Sequence, residues 1–315
     1  MNPDAGPWIP PDQVRGKLLK LGTTGKDSFM DPTPTQPIRW PLEAIWEVIT
    51  RTMPDLEGFT AEALPSIDST NSELMRRFKG APGIAPMLAP TLLVAETQTA
   101  GRGRLGRQWY SQRGDSLTFS LGMALEPLDW SGLSLVVGIS IAESLDEIPA
   151  SGEHIALKWP NDLWVGKPGV ERKLGGILVE TATLDGKRYV VIGVGINISG
   201  QAPATAGIPP GYLQDLFPDR PDLDAPAALL RIVPGLVQNI QAFAQFGFAP
   251  FQARFARRDV LSSRTVLLSD GLAGTAHGVS ESGALLVHTS AGMKEITSSE
   301  VSVRPVQASG GQRPC

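Results

Sequence analysis

Between Ala95 and Trp109 the residues that could do chemistry lie unusually close together. Gly101-Arg-Gly-Arg-Leu-Gly-Arg107 holds three glycines and three arginines, with Trp109 two residues beyond. The guanidinium groups of Arg102, Arg104 and Arg107 are planar donor forks that suit carboxylate and phosphate oxygens. Glycine lets the backbone bend close to a ligand. The chemistry implied is the holding of concentrated negative charge. Gly101–Gly106 also matches GxGxxG and follows an apolar run, Thr91–Ala95. A dinucleotide-binding turn, however, needs a helix to start at the loop so that pyrophosphate sits on its N-terminus. Here Leu117, Phe119, Leu121, Met123 and Leu125 alternate along one face, which is strand periodicity. The other alternative is a solvated basic loop.

Four further clusters accompany this loop. Asp68-Ser-Thr-Asn71 places small hydrogen-bonding side chains at a helix start, where they serve either as a cap or as a ligand site. Lys158-Trp-Pro-Asn-Asp162 ends a strand with a cation, a turn and a carboxylate, so Lys158 could serve phosphate and Asp162 Mg²⁺. Lys173-Leu-Gly-Gly-Ile-Leu-Val-Glu180 opens a strand with a lysine and two glycines. In Val190–Ile198, alternation sends Ile192, Val194, Ile196 and Ile198 to one face. Val191, Gly193, Gly195 and Asn197 take the other, a nearly bare surface for a flat ligand or for another backbone. Anion-binding groups are plentiful and no protein nucleophile stands out. That fits a reaction whose substrates bring their own nucleophile, with the protein supplying position and charge stabilisation.

The elements that must hold these groups read as α+β. Residues 1–40 are rich in Pro and Gly and predict an extended or disordered lead-in. Helices are predicted from Pro41, after Ser69-Thr-Asn71, over Ser131–Ile148 and over Ala225–Phe246. Strands are predicted at Thr91–Ala95, Ser116–Leu125, Ile155–Lys158, Gly176–Glu180 and Tyr189–Ile198. The expected architecture is a mixed sheet covered by helices on one face. From residue 258 to 306, short β runs separated by Asp-Gly, Ser-Gly and Ala-Gly turns predict a small barrel, and a frayed tail follows from 307.

Composition excludes several function classes. Net charge is −4 over 315 residues, so the arginine loop is local and bulk electrostatic binding of nucleic acid is disfavoured. The one cysteine is the terminal Cys315, which argues against disulfides and thiol catalysis. His154, His277 and His288 lack ligand-like spacing. No apolar run reaches the roughly 18 residues of a membrane span, and the N-terminus lacks signal-peptide character. A cytoplasmic protein is expected.

The five clusters together resemble the bacterial biotin protein ligases, in the family's order and approximate spacing, over about residues 65–200. The small C-terminal β domain extends the likeness. The resemblance implies a class II synthetase-like catalytic domain over 41–257 and an SH3-like barrel over 258–306. It implies that biotin and MgATP give biotinyl-5′-AMP, and that the biotinyl group then passes to a lysine of a biotin carboxyl carrier domain. Carried over by residue, Ser69, Thr70, Asn71, Gln98, Arg102, Gly103, Arg104 and Lys173 would contact biotin. Arg104, Arg107, Trp109, Lys158, Asn161 and Asn197 would serve ATP, with Asp162 on Mg²⁺ and with Lys173, Arg104 and Lys158 catalytic. A homodimer through the exposed sheet is also implied. Some family members carry an N-terminal winged helix and bind operator DNA; residues 1–40 show no such pattern, so a monofunctional ligase is expected. Lipoate–protein ligase is the nearest enzymatic alternative, and a biotin-responsive regulator the nearest non-enzymatic one.

Overall fold

In the computed structural model, residues 37–80, 82, 85–145, 154–200, 202–204, 208–297 and 303–305 are described. The lead-in over 1–36 and the tail from 307 lie outside them. Helix α1 (Leu42–Thr52) starts beside Pro41 and buries Ile45 and Ile49, four residues apart on one stripe. Trp46 sits outside that stripe, exposed, with its indole N–H donating to Phe59 O at 3.1 Å.

A seven-stranded sheet carries the site. Its strands are β1 (Thr60–Leu64), β2 (Thr91–Ala95), β3 (Ser116–Ala124), β4 (Ala156–Lys158), β5 (Asp162–Val165), β6 (Arg172–Leu184) and β7 (Lys187–Asn197). They lie in the order β1-β2-β3-β7-β6-β5-β4. The β1–β2 pair is parallel and the rest are antiparallel, so the sheet is mixed as expected.

The helices do not all lie on one face. α1, α3 (Leu133–Leu145) and α5 (Ala225–Phe246) share a core with Leu92, Val94, Val190, Ile192 and Val194. α2 (Thr70–Lys79) packs Leu74 and Phe78 against Leu93, Tyr189 and Val191. Neighbouring strand residues point to opposite faces, so β2 and β7 feed a core on each side. α2 thereby leaves part of its face open as a site. Between β7 and α5 lies the single turn α4 (Leu213–Leu216).

α5 is long and apolar enough to cross a membrane by length and composition, contrary to the sequence expectation. Its Leu229, Ile232, Val233, Leu236, Val237, Ile240 and Phe243 are buried in the core, which accounts for its hydrophobicity. A five-residue helix, α6 (Gln252–Ala256), leads on to the small β unit.

That unit has strands β8 (Thr265–Leu268), β9 (Ala273–Val279), β10 (Leu285–Thr289), β11 (Gly292–Ile296) and β12 (Val303–Pro305), all antiparallel, in the order β11-β10-β9-β8-β12. Val266, Leu268, Ala276, Leu285 and Val287 join the same hydrophobic core as the large sheet. The unit also grips the base of the lysine strand. Trp159 Nε1 donates to Gly283 O at 3.1 Å, and the Leu157 amide donates to Arg258 O at 2.7 Å. β9–β10 pairing brings His277 and His288 edge-on at 6.0 Å, which their sequence spacing did not foretell. Among the described residues no third ligand makes a metal site of them.

Candidate active site

At the start of α2, Ser69 is extended and its Oγ accepts from the Ser72 amide at 3.4 Å, so the helix-cap reading is correct for this residue. The same turn is also a wall. Ser69, Thr70 and Asn71 are all buried and line the main cavity. The Thr70 amide donates to Gln98 Oε1 at 2.8 Å, and the Thr70 hydroxyl lies 3.1 Å from the same oxygen. Ser120 donates to Asn71 Oδ1 at 2.6 Å and stands equally close to Thr70 Oγ1.

Ser120 was not foreseen. It belongs to the small, polar face of β3, where Thr118 and Ser120 pair with Gly195 and Gly193 of β7. That alternation was legible in Ser116-Leu-Thr-Phe-Ser120, but only its apolar half was read.

The glycine face of β7 is not bare. A Cβ on Gly193 would lie 2.2 Å from Asn71 Oδ1, and one on Gly195 would lie 2.3 Å from Trp109 Cε2. The glycines therefore make room for two side chains of the site itself, rather than directly for a ligand or a second backbone. The Trp109 indole N–H is sealed from solvent and has no partner among the described residues.

The arginine loop is a small closed hairpin. Arg102 bridges Gln108, Gly103 N–H donates to Arg107 O at 2.7 Å, and Trp109 N–H donates to Gly101 O at 2.9 Å. At its tip Leu105 (φ 56°) and Gly106 (φ 70°) are left-handed. That conformation is strained for leucine by about 1–2 kcal/mol. Like-charge repulsion would loosen such a loop, but Arg102 and Arg104 have partners. Arg102 Nη2 donates to Glu180 at 2.9 Å, and Arg104 Nη1 donates to Asn161 Oδ1 at 3.3 Å.

The cavity's opposite end is cationic. Lys158 ends β4 almost wholly buried, its Nζ 5.4 Å from the centroid of the Trp164 ring. Burial, with Lys173, Arg107 and Arg104 nearby, pulls its pKa down to about 8 against the opposing pull of Asp162. Burial likewise lowers the Arg104 pKa. Lys173 Nζ sits 2.7 Å from Asp162 Oδ1, and Lys158 Nζ is 4.0 Å from Oδ2. Asn161 Nδ2 donates to Ile177 O at 2.7 Å, which fixes the amide that orients Arg104.

Thirteen of the fourteen residues expected at the site line this one cavity: Ser69, Thr70, Asn71, Gln98, Arg102, Gly103, Arg104, Arg107, Trp109, Lys158, Asn161, Asp162 and Lys173. Asn197 stands apart. Its Nδ2 donates to Lys173 O and Gly211 O, each at 3.2 Å, so it holds the Lys173 backbone and lines an adjoining recess with Trp109. Asp162 does not fit a resident magnesium site. Its two oxygens face two lysines, and among the described residues no cluster of three acidic or histidine groups exists.

Residues 63–197 match the biotin/lipoate A/B protein ligase family, and 265–304 match the biotin protein ligase C terminal domain. The chain is 34% identical over 258 residues to the bifunctional ligase/repressor BirA of Escherichia coli, covering 80% of this chain and 76% of that protein. It is 28% identical over 249 residues to the biotin–[acetyl-CoA-carboxylase] ligase of Paracoccus denitrificans, covering 76% and 98% respectively. Among solved structures, biotin protein ligase from Aquifex aeolicus in complex with biotin and ATP is similar with a TM-score of 0.64 and 31% identity, over 78% of this chain and 99% of that one. The matched spans contain every residue of the cavity and most of the small β unit that braces it, and the chain belongs to the biotin protein ligase family.

Proposed function

We propose that this chain activates biotin with ATP and transfers the biotinyl group to a lysine of a biotin carboxyl carrier domain. The observation that carries the reading is a single cavity with a neutral hydrogen-bonding end, at Ser69, Thr70, Asn71 and Gln98, and a cationic end, at Arg104, Arg107, Lys158 and Lys173. The neutral end suits the polar head of biotin. The cationic end suits a carboxylate meeting a triphosphate.

In the first step a biotin carboxylate oxygen attacks the α-phosphorus. An oxygen–phosphorus bond forms, the bond to the β-phosphate oxygen breaks, and pyrophosphate leaves. Lys173 and Lys158 offset the charge gathered there, and Arg104 covers the mixed anhydride. In the second step the carrier amine attacks the acyl carbon and AMP leaves. Trp109 provides a ring face and an unpartnered indole donor for the nucleotide; an unmet buried donor costs about 1–3 kcal/mol. Asn161 and Asn197 act on this reading by orienting Arg104 and Lys173. Magnesium enters as part of the MgATP substrate, since the donor set around Asp162 is already taken by lysines.

For this reading we divide the chain into a lead-in (1–40), a catalytic domain (41–257), an SH3-like domain (258–306) and a tail. We assign it to the cytoplasm as a homodimeric ligase that does not bind operator DNA. Incubation with MgATP, a carboxyl carrier domain and either biotin or lipoate should add one biotinyl mass to the carrier. Lipoyl addition, or no addition at all, would overturn the reading.

Gly195→Ala tests the nucleotide end. Its Cβ would collide with the Trp109 indole, so ATP affinity by calorimetry should fall at least about tenfold while thermal stability falls by about 1–3 kcal/mol. ATP affinity within twofold of the parent would remove Trp109 from that role.

A further inference from the structure

We propose that Glu180 is the positioning residue of the arginine loop, tying Arg102 to the buried Asn71 so that the loop and the pocket wall are held as one piece. Register places it there. Leu178 and Glu180 of β6 pair with Gly193 and Val191 of β7, residues that face α2 and the site, so the Glu180 side chain rises on the same side.

Its carboxylate accepts from three donors. Oε2 accepts from Asn71 Nδ2 at 2.9 Å and Arg102 Nη1 at 3.3 Å, and Oε1 accepts from Arg102 Nη2 at 2.9 Å. Arg102 Nη1 also reaches Ser72 Oγ at 3.3 Å. Asn71 is otherwise fixed by Ser120 on its oxygen and Leu178 O on its amide. A continuous run of hydrogen bonds thus passes from Ser120 through Asn71 and Glu180 to the loop.

Exposed ion pairs usually contribute little to stability, and Arg102 is half exposed. This pair differs in being two-pronged and in sharing its carboxylate with a buried amide. It also closes on a hairpin whose tip carries a left-handed leucine and two more arginines. Removing the carboxylate takes away the anion that Arg102 pairs with and leaves the guanidinium its contact with Ser72 Oγ. Glu180 lies outside the main cavity, in a recess on the loop's outer side. Its influence on a ligand therefore passes through Asn71 and Arg102.

Two measurements on the full chain test this, and only the second rests on the ligase reading. In ligand-free protein, Glu180→Ala should speed amide hydrogen exchange over residues 101–109 at least tenfold, with Glu180→Gln intermediate and exchange in α5 unchanged. In protein loaded with biotin and MgATP, Glu180→Ala should release biotinyl-5′-AMP five- to twentyfold faster, with the KM for biotin within threefold. In an Arg102→Ala background the same substitution should add less than twofold to the release rate, because the partner is already gone. Unchanged loop exchange, or an equal increase in release with and without Arg102, would overturn the proposal. Should Glu180→Ala fail to fold, Glu180→Gln carries both readouts. A parent protein that forms no adenylate would count against the ligase reading alone, and loop exchange would still decide the role of Glu180.

Discussion

Replacing Lys173 with alanine is expected to slow adenylate formation by about 10²–10³-fold while changing biotin affinity less than about fivefold. Lys173 Nζ is largely buried in the cavity and bonded to Asp162 at 2.7 Å. Before reaction it already has a carboxylate partner, so ground-state biotin gains little from it. As the oxygen–phosphorus bond forms, negative charge gathers on the phosphate oxygens beside it, and a fixed cation in a water-poor site is worth most at that moment.

The backbone at Lys173 is unusually well held. Its amide donates to Pro209 O at 3.0 Å, and its carbonyl accepts from Gly211 N and Asn197 Nδ2. Such anchoring removes the reorganisation that a free lysine would need. Single-turnover pyrophosphate release alongside biotin calorimetry checks the split. Comparable losses in affinity and rate would mean that Lys173 only binds substrate.

The second large effect concerns Lys158, and it should appear as a pH dependence. Burial brings its pKa down to about 8, well below the ordinary lysine value of 10.5. In the empty site its charge is therefore lost as pH rises through about 8. If a polyphosphate binds only the charged form, its affinity should weaken by up to about tenfold per pH unit above that point. Folding stability should move the other way. Between about 8 and 10.5 the unfolded chain holds more protons at this group than the folded one, so its contribution to stability rises with pH.

Opposite slopes from one residue separate this cause from general alkaline unfolding. Lys158→Arg should flatten the affinity profile, although arginine does not reproduce the point charge of lysine. Lys158→Met should lose about 10²-fold in kcat/KM for ATP at neutral pH. Pyrophosphate or ATP titrations from pH 7 to 10, paired with denaturant melts, read both slopes. A parent affinity that stays level across that range would refute the assignment.

Much of the site is legible in the sequence. The alternation after Gly114 ruled out the dinucleotide turn, and β3 runs from Ser116 to Ala124 as that alternation requires. α5 spans Ala225–Phe246 as the helical pattern predicts; in the structure Asp224 caps its start and Gly247 ends it. Less was legible where one pattern served two ends. β5 (Asp162–Val165) is not legible in the sequence, since four residues give too little periodicity. α2 was seen as a helix, but not as the one crossing to the opposite face. That depends on the parity of Leu93 and Val191 in strands far from it in sequence.

The sequence by itself determined which groups the site would own: the arginine hairpin, the lysines at strand ends and the capped start of α2. These follow from residue type, alternation and helical spacing, all of which act over a few neighbouring residues. Tertiary structure alone decided how those groups are paired. Glu180 meets Arg102 across 78 residues and Asn71 across 109, because the non-sequential order β3-β7-β6 sets them side by side. The same order lays Gly193 and Gly195 beneath Asn71 and Trp109, and antiparallel pairing of β5 with β6 turns Asp162 toward Lys173. Charge and shape become a site only once strand order has chosen the partners, and strand order is a property of the whole core.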